Sequence, residues 1–239
     1  MGPVFRWDGD HLAIRLGDAQ VLFTTRRGGV SEGPFASLNL GERTADDPAA
    51  VEANHARLRA LADGATLARC AQVHGRDVVR RTAPPDGERP QADGVATNVA
   101  GVGAVVLTAD CLPVALSAPG AVAMVHAGWR GLAAGVLDEG VAALRDLGAG
   151  GPVVAAIGPG AGGCCYEVGD EVRDAFADVP EAMLGRNVDL KAVATARLRA
   201  AGVEEVHDSG LCTMCDARFF SHRRDQGTTG RQGGVAWLT

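Results

Sequence analysis

The sequence contains little lysine and no long hydrophobic run. Lys191 is the single lysine among 23 basic residues, and the formal net charge is −6. This balance offers no general attraction for phosphate backbones or anionic lipid surfaces, so we expect no nucleic-acid and no membrane partner. No apolar stretch reaches the roughly 20 residues that span a bilayer. Residues 1–18 also lack the basic and then apolar order of a signal peptide, so we expect a cytoplasmic protein.

The six cysteines are not accompanied by an export signal that would favour a disulfide framework. Without such a signal, cysteines are more often reduced thiols or metal ligands than disulfide partners. A chain of this length buries roughly 70–75% of its unfolded surface, so its core does not depend on disulfides or on a metal.

Strand-like runs alternate with helical patterns along the chain. Gly17 and Asp18 separate two short β-like runs, and residues 68–75 and 77–81 are predicted to pair as two further strands. Residues 102–125 contain two apolar runs typical of buried strands. The carboxyl-terminal residues predict a short strand, a basic glycine-rich loop and a last strand.

Three segments carry helical patterns. Asp46 or Asp47 can cap a helix whose first turn contains Pro48, and Asp189 can cap another helix. Apolar residues spaced over residues 132–147 predict one helix between these two. The composition, 46% hydrophobic and 22% charged, is typical of a globular protein.

The sequence shows neither an internal repeat nor a low-complexity linker. We therefore predict a single mixed α/β (α+β) domain over residues 1–239. The oligomeric state is left open.

Two apolar runs end in side chains that can do chemistry. Within residues 106–131, one run ends at Asp110-Cys111 and the next ends at His126, 15 positions after the cysteine. His74 ends another run and, like His126, is followed by small residues. Strand ends beside glycine are places where side chains face a cleft and backbone can approach a ligand. The other strand or helix histidines, His11, His55 and His207, are explained by packing.

Three interpretations of this group stay open from the residues alone. One cysteine and two histidines suit Zn²⁺ and leave a fourth position for water, whose pKa the metal would lower toward about 7. The spacing is not that of a zinc finger, so the spacing alone favours a buried cysteine with two hydrogen-bonded histidines over a metal site. A histidine within reach could also deprotonate Cys111 and make it a nucleophile.

Three further motifs are weaker. Cys212 and Cys215 form a C-x-x-C that needs two more ligands to bind zinc, or a thioredoxin-like setting to act in redox chemistry. Residues 163–165, Gly-Cys-Cys, predict a tight turn before a helix, where an anion could bind. A glycine-rich loop near the carboxyl terminus could hold phosphate or carboxylate, with a solvated charged loop as the alternative. Its charged or titratable residues are His222, Arg223, Arg224 and Arg231.

Seven stretches in order between Phe23 and Arg231 give the chain a family resemblance. They are FTTRRGGVSEGPFASLNLG, QVHG, ADGVATN, LTADCLPV, VHAGWRGL, GPGAGGCCYEVGDEV and FFSHRRDQGTTGR. With them the chain resembles the laccase-domain family, whose members are described as polyphenol oxidases, purine nucleoside phosphorylases and peptidoglycan editing factors. One loop departs from the family pattern: where relatives often have Ile and Pro before the cysteine pair, this chain has Ala161, Gly162 and Gly163.

The resemblance implies a fold and a site. The fold is a central mixed β-sandwich-like core flanked by helices, similar in shape to bacterial cysteine-hydrolase toxins. His74, Cys111 and His126 are implied to be catalytic and to bind one metal, usually Zn²⁺, with Cu²⁺ as the alternative. Candidate substrate-binding residues in the matching stretches are Arg26, Asn39, Arg130 and Cys165.

The implied activity is zinc-dependent phosphorolysis of adenosine, inosine, guanosine and methylthioadenosine, with adenosine deamination as a second activity. Its partners would be purine nucleosides and phosphate, and the candidates to protonate the leaving base are Asp110 and the metal-bound water. A cysteine hydrolase acting on cell-wall precursors, with Cys111 as nucleophile, is the first alternative. Copper-dependent phenol oxidation ranks lower, because multicopper oxidases need many histidines and this chain has six. A metal-stabilised binding domain is the non-catalytic alternative.

Overall fold

The computed structural model describes residues 4–203 and 205–239. Residues 1–3 lie outside the described residues. They belong to residues 1–18, from which a cytoplasmic location is predicted. In the described part of the chain, no helix combines the length and the apolar character needed to cross a membrane.

The described residues form two six-stranded sheets, a two-stranded ribbon and five α-helices. The strands are β1 (Arg6–Asp8), β2 (His11–Leu16), β3 (Ala19–Phe23), β4 (Thr66–Ala68), β5 (Val78–Arg81), β6 (Gly94–Thr97), β7 (Val102–Thr108), β8 (Leu112–Ala118), β9 (Ala121–Ala127), β10 (Val154–Ile157), β11 (Met183–Leu184), β12 (Asn187–Val188), β13 (Glu205–Asp208) and β14 (Gln232–Leu238). The helices are α1 (Pro48–Leu61), α2 (Trp129–Ala134), α3 (Val136–Asp146), α4 (Asp170–Asp174) and α5 (Leu190–Ala200).

The two large sheets pack face to face. The first has the order β1-β2-β3-β14-β7-β4 and the second β13-β10-β8-β9-β6-β5. Between them, Phe23 and Val106 of the first sheet share one buried apolar cluster with Ala115 and Met124 of the second. Helix α1 covers the outer face of the first sheet, and α3 and α5 cover that of the second. This arrangement confirms the mixed α/β fold with a sandwich-like centre flanked by helices.

Strands β8 and β9 lie at the centre of the second sheet and are buried on both faces. A strand covered on both faces is apolar throughout, which explains the continuous apolar sequence of this region. The register pairs Pro113 with His126, so the end of β9 lies beside the start of β8. Cys111 directly precedes β8, and it is therefore brought to the same edge as His126.

The prediction of two strands over residues 102–125 is wrong, because the second apolar run is a hairpin. β8 and β9 meet at Pro119-Gly120, where Gly120 has φ +84°. A positive φ is readily adopted by glycine, so this dipeptide turns the chain inside an unbroken apolar stretch.

Three other local predictions are also wrong. Residues 68–75 and 77–81 do not pair with each other, because β4 pairs in parallel with β7 and β5 pairs in parallel with β6. The helix predicted over residues 132–147 is divided into α2 and α3 at Gly135, whose φ is +88°. No strand forms at Phe219-Phe220 in the described chain, where the side-chain amide of Gln232 bonds both backbone groups of Phe220 instead.

Both predicted helix caps are confirmed. The Asp47 carboxylate accepts a hydrogen bond from the Ala49 amide at 2.9 Å, and the Asp189 carboxylate accepts one from the Lys191 amide at 2.9 Å. Each cap satisfies an amide of the first helical turn that has no partner within the helix. That the whole of residues 1–239 forms one domain stays a prediction.

We expect Asp47→Ala to lower the free energy of unfolding by about 1 kcal/mol, because α1 loses its capping acceptor. Denaturant unfolding measures this difference. Asp47→Asn is the matched control: asparagine caps as well as aspartate, so its stability should stay close to that of the wild type. An equal loss in both variants would contradict a capping role.

Candidate metal centre

His74, Cys111 and His126 converge at one edge of the second sheet. His74 lies in the loop after β4 with φ +60°, Cys111 lies between β7 and β8, and His126 lies near the end of β9. Their ligand atoms all lie within 4.8 Å of one another. Cys111 Sγ is 3.9 Å from His74 Nε2, and the two imidazole rings meet edge to face with centroids 4.8 Å apart. The three predicted ligands are therefore brought together.

A buried carboxylate, Asp93, holds two of these ligands in place. Its Oδ1 lies 2.7 Å from His126 Nδ1 and accepts the His74 backbone N–H at 2.9 Å. Its Oδ2 accepts the N–H groups of Val73 at 3.1 Å and Gly75 at 2.6 Å. One side chain thus orients the His126 ring and closes the loop that carries His74.

Sequence reasoning missed Asp93 as a functional residue. It stands directly before β6, in the stretch ADGVATN, and its backbone carbonyl accepts the N–H of His126 at 2.6 Å. An acid at the start of a buried strand is the only sequence feature that could have indicated it.

The contact with Asp93 determines which nitrogen of His126 can bind a ligand. Asp93 is placed to accept a hydrogen bond from Nδ1, so Nε2 is the nitrogen left to face His74 and Cys111, and a metal would bind there in place of the Nε2 proton. A carboxylate behind a histidine is the usual support of a histidine metal ligand. Together with one thiol and a second imidazole, this donor set fits Zn²⁺ and leaves a coordination position for a further ligand.

The charges of the site favour a thiolate at Cys111. Burial alone would raise the pKa of Cys111, but the positive charge and hydrogen bond of His126, with a hydrogen bond from His74, lower it to about 6. Burial alone would lower the pKa of His126, but the Cys111 thiolate and Asp93 raise it to about 9. Because a thiolate is both the metal-binding and the nucleophilic form of cysteine, this electrostatic arrangement suits either role.

Gly128 leaves room for the three ligands. A Cβ atom at this position would lie 3.1 Å from Cys111 Sγ and 3.1 Å from His74 Cδ2. Any side chain larger than hydrogen would crowd Cys111 and His74, which explains the glycine two residues after His126 in the stretch VHAG.

The three ligands border a cleft of ≈ 620 Å³. Its apolar walls include Val105, Leu107 and Leu190, and the ring of Tyr166 also lines it. This volume lies within the range of small-molecule sites, which are mostly apolar with a few polar groups that fix orientation.

Arginines supply the positive charge of the cleft. Arg69 and Arg89, which line it, both pair with Glu42. Three other lining arginines form no ion pair within the described residues: Arg43, Arg223 and Arg231. The cleft therefore offers positive charge to an anion, which is one of the two interpretations that the sequence left open for Arg223 and Arg231.

The remaining basic-loop residues have different positions. His222 lines the cleft. Arg224 instead pairs with Asp225 and donates to the carbonyls of Thr213 and Phe219, so it holds the loop together.

The other predicted substrate-binding residues do not line this cleft. Arg26 donates to the Ala36 carbonyl at 2.6 Å and stacks on Phe220. Arg130 stacks on Trp129, with its guanidinium carbon 4.3 Å from the ring centroid. Their substrate-binding role stays a prediction.

Asn39 and Cys165 also lie outside the cleft lining. The Asn39 side-chain oxygen accepts the backbone N–H groups of Gly41 and Arg231, so Asn39 positions two residues that do line the cleft. Cys165 lies in a group of four cysteines beside the glycine-rich loop.

Asp110 also lines the cleft but both of its carboxylate oxygens accept hydrogen bonds. Oδ1 accepts from Thr213 Oγ1 at 2.7 Å and Oδ2 accepts from the backbone N–H of Arg223 at 2.7 Å. Because both oxygens are already engaged by donors from the loops of Thr213 and Arg223, this geometry suits positioning of the Arg223 loop.

We expect Asp93→Asn to weaken Zn²⁺ binding by about 10- to 100-fold, the range found when the hydrogen-bond partner of a metal-bound histidine is removed. The amide cannot accept all four hydrogen bonds of the carboxylate, so the His126 ring and the His74 loop lose their common anchor. Competition with a chromophoric chelator measures the affinity. Asp77→Asn is the control, because Asp77 is an exposed acid three residues after His74, and this variant should bind zinc as the wild type does. Equal affinities of the two variants would contradict the anchoring role.

Comparison with known proteins finds relatives that cover nearly the whole chain. A purine nucleoside phosphorylase of Streptomyces griseus, ORF3, is 44% identical over 238 residues, which cover 93% of this chain and 95% of that protein. The purine nucleoside phosphorylase YfiH of Escherichia coli K12 is 40% identical over 227 residues, covering 90% and 92% of the two chains.

Solved structures match over nearly the full length. Protein NMB0706 of Neisseria meningitidis superposes with a TM-score of 0.85 at 36% identity, covering 99% of this chain and 98% of that one. YlmD from Geobacillus stearothermophilus superposes with a TM-score of 0.87 at 35% identity, covering 99% of each. The family model for multi-copper polyphenol oxidoreductase laccase matches residues 20–239. As the sequence resemblance predicted, this chain belongs to that laccase-domain family.

Proposed function

We propose that this protein is a purine nucleoside phosphorylase whose His74, Cys111 and His126 hold Zn²⁺. The observation that carries the proposal is that one cleft joins this ligand group to apolar walls and to arginines that have no carboxylate partner in the described part of the chain. The names of the relatives support it, since the proteins from Streptomyces griseus and Escherichia coli are both called purine nucleoside phosphorylases. The substrates would be a purine nucleoside and inorganic phosphate.

Phosphorolysis makes two demands on a protein. A phosphate oxygen forms a bond to the anomeric carbon of the pentose while the bond from that carbon to the purine nitrogen breaks, and the leaving base takes up a proton. The protein must therefore hold a dianion next to a nucleoside and stabilise negative charge on the departing base.

The residues of the cleft can meet the first demand. Arg223 and Arg231 present guanidinium groups, whose planar donors suit phosphate. Arg223 Nη1 donates to the Glu167 carbonyl at 2.8 Å and its guanidinium lies over the ring of Tyr166, so its position is fixed before a ligand arrives. A guanidinium that is already oriented loses less side-chain entropy on binding.

The apolar part of the cleft can hold the base. Purines have flat apolar faces, and Leu107, Leu190 and Tyr166 offer surfaces against which such a face packs. When bound, Zn²⁺ would supply Lewis-acid stabilisation of negative charge at the open side of its three ligands. Asp93 would keep His126 in the tautomer that binds it.

A cysteine hydrolase is the second candidate. Cys111, His126 and Asp93 are also arranged as a nucleophile, a base and a carboxylate that orients the base would be. The lowered pKa of Cys111 and the contact between His126 and Asp93 favour it. In that case catalysis would survive removal of metal.

Multicopper oxidation is less well supported, since the remaining strand and helix histidines have other contacts. His11 accepts the Thr25 amide, His55 contacts Arg69 and His207 contacts Glu205.

The direct test is chromatography of adenosine and inosine incubated with zinc-loaded protein, with and without phosphate. We expect free base and pentose 1-phosphate to form only with phosphate. Inosine formed from adenosine without phosphate would support deamination as a second activity. Metal-free protein that leaves nucleosides unchanged and still hydrolyses cell-wall precursors would favour the cysteine hydrolase.

We expect His74→Ala to reduce phosphorolysis by more than about 100-fold, since loss of a ligand should exceed the effect of losing a ligand's hydrogen-bond partner. Zinc content, measured on the same sample, should fall with it. His207→Ala is the matched control: this histidine lies on β13 at the far edge of the second sheet, and its loss should change neither quantity. Full activity of a zinc-depleted His74→Ala protein would contradict the metal-dependent mechanism.

We expect Arg223→Ala to raise the KM for phosphate by about tenfold, because one charge-assisted hydrogen bond of roughly 1.5 kcal/mol is lost. The KM for the nucleoside should change less. Arg15→Ala, an exposed arginine on β2, is the control and should leave both constants unchanged. A change confined to the KM for the nucleoside would contradict phosphate binding by Arg223 and indicate that it contacts the nucleoside instead.

A further inference from the structure

A second group of metal-ligating side chains lies outside the cleft. Cys164 and Cys165 come from the glycine-rich loop after β10, and Cys212 and Cys215 come from the loop after β13. Their sulfur atoms all lie within 4.8 Å of one another. The C-x-x-C motif, which alone is two ligands short of a zinc site, thus obtains both missing thiols from a segment about 50 residues earlier.

The sulfur positions fit a tetrahedral ion. Cys165 Sγ and Cys215 Sγ are 3.0 Å apart, and Cys164 Sγ and Cys215 Sγ are 3.6 Å apart. Zn–S bonds of about 2.3 Å in a tetrahedron place the sulfurs about 3.8 Å apart. Small outward movements of exposed or half-buried side chains are enough to reach that geometry.

The backbone of the glycine-rich loop is shaped around these sulfurs. The Gly162 N–H donates to Cys212 Sγ at 3.2 Å. A Cβ on Gly162 would lie 3.2 Å from Cys164 Sγ and 3.1 Å from Cys212 Cβ, and a Cβ on Gly163 would lie 2.7 Å from Leu184 Cδ1. Crowding therefore explains why this chain has glycines where the family pattern often has larger residues.

We propose that Cys164, Cys165, Cys212 and Cys215 bind a structural Zn²⁺, separate from the ion of the cleft. Each thiol gives up its proton on binding, and four thiolates leave no open position for a substrate, so this site is closed. The proposal gives Cys165 a ligand role in place of direct substrate binding.

The ion would brace one wall of the cleft. The two cysteine-bearing loops already meet at Gly160, whose carbonyl accepts the Thr213 N–H at 3.0 Å. Thr213 Oγ1 in turn donates to Asp110, next to the ligand Cys111, and Tyr166 directly follows Cys165. Joining the loops through a metal would hold these cleft residues in place.

The test is the zinc content of freshly purified protein and of three variants. We expect about two zinc ions per wild-type chain, and about one in Cys215→Ser and in Cys111→Ser. Cys70→Ser removes the one cysteine outside both groups and should keep both ions. Cobalt-loaded Cys111→Ser should show the intense thiolate-to-cobalt absorption of a four-sulfur site, and Cys215→Ser should lose most of it.

Two results would overturn the proposal. One is a zinc content that is the same in Cys215→Ser and in the wild type, while all six thiols of the unfolded wild type are titratable. The other is a disulfide within the group, seen as thiols that become titratable only after reduction. Because Cys215 is exposed, its replacement by serine should not prevent folding, and the wild-type zinc content tests the proposal without any variant.

Discussion

The carboxylate of Asp93 is the constraint on which the site depends. A buried charge is costly unless it is fully hydrogen-bonded, and here three backbone amides and one imidazole provide the partners. Burial alone would raise the pKa of Asp93, but the hydrogen bonds from His126 and the backbone lower it, so the group stays ionised. Because the same carboxylate closes the His74 loop and selects the free nitrogen of His126, the need to satisfy one buried acid also arranges two ligands.

The sandwich explains why the chemistry lies where it does. β8 and β9 are buried on both faces, so functional side chains can reach solvent only where these strands begin and end. The pairing of Pro113 with His126 brings Cys111 and His126 to one such edge. The wall opposite the apolar sheet residues is made by loops, and these carry arginines that could bind an anion. A rigid sheet edge holds the three candidate metal ligands, while the loops would supply the contacts to a substrate.

Features that depend on neighbouring residues were predictable from the sequence, and features that depend on distant contacts were not. The caps Asp47 and Asp189 and the strand-end position of His126 follow from local patterns. The division of the apolar run at Gly120 is also local, but the continuous hydrophobicity concealed it. By contrast, Asp93 gains its role only when β6 pairs with β9. The four cysteines likewise meet only in the folded chain, so C-x-x-C alone gave no indication of its partners. The family resemblance indicated the three candidate metal ligands, but not the residues that hold them.

Anomalous X-ray scattering at the zinc edge, from crystals of zinc-loaded protein, would show directly whether His74, Cys111 and His126 hold a metal ion. We predict a peak at about 2.0–2.3 Å from the Nε2 atom of His126 and from the side chains of His74 and Cys111, with His126 Nδ1 still bonded to Asp93. Crystals grown with phosphate should place the anion beside Arg223 and on the open side of that peak. Absence of scattering between the three side chains, with Cys111 and His126 hydrogen-bonded directly to each other, would contradict a metal centre and favour a thiol nucleophile.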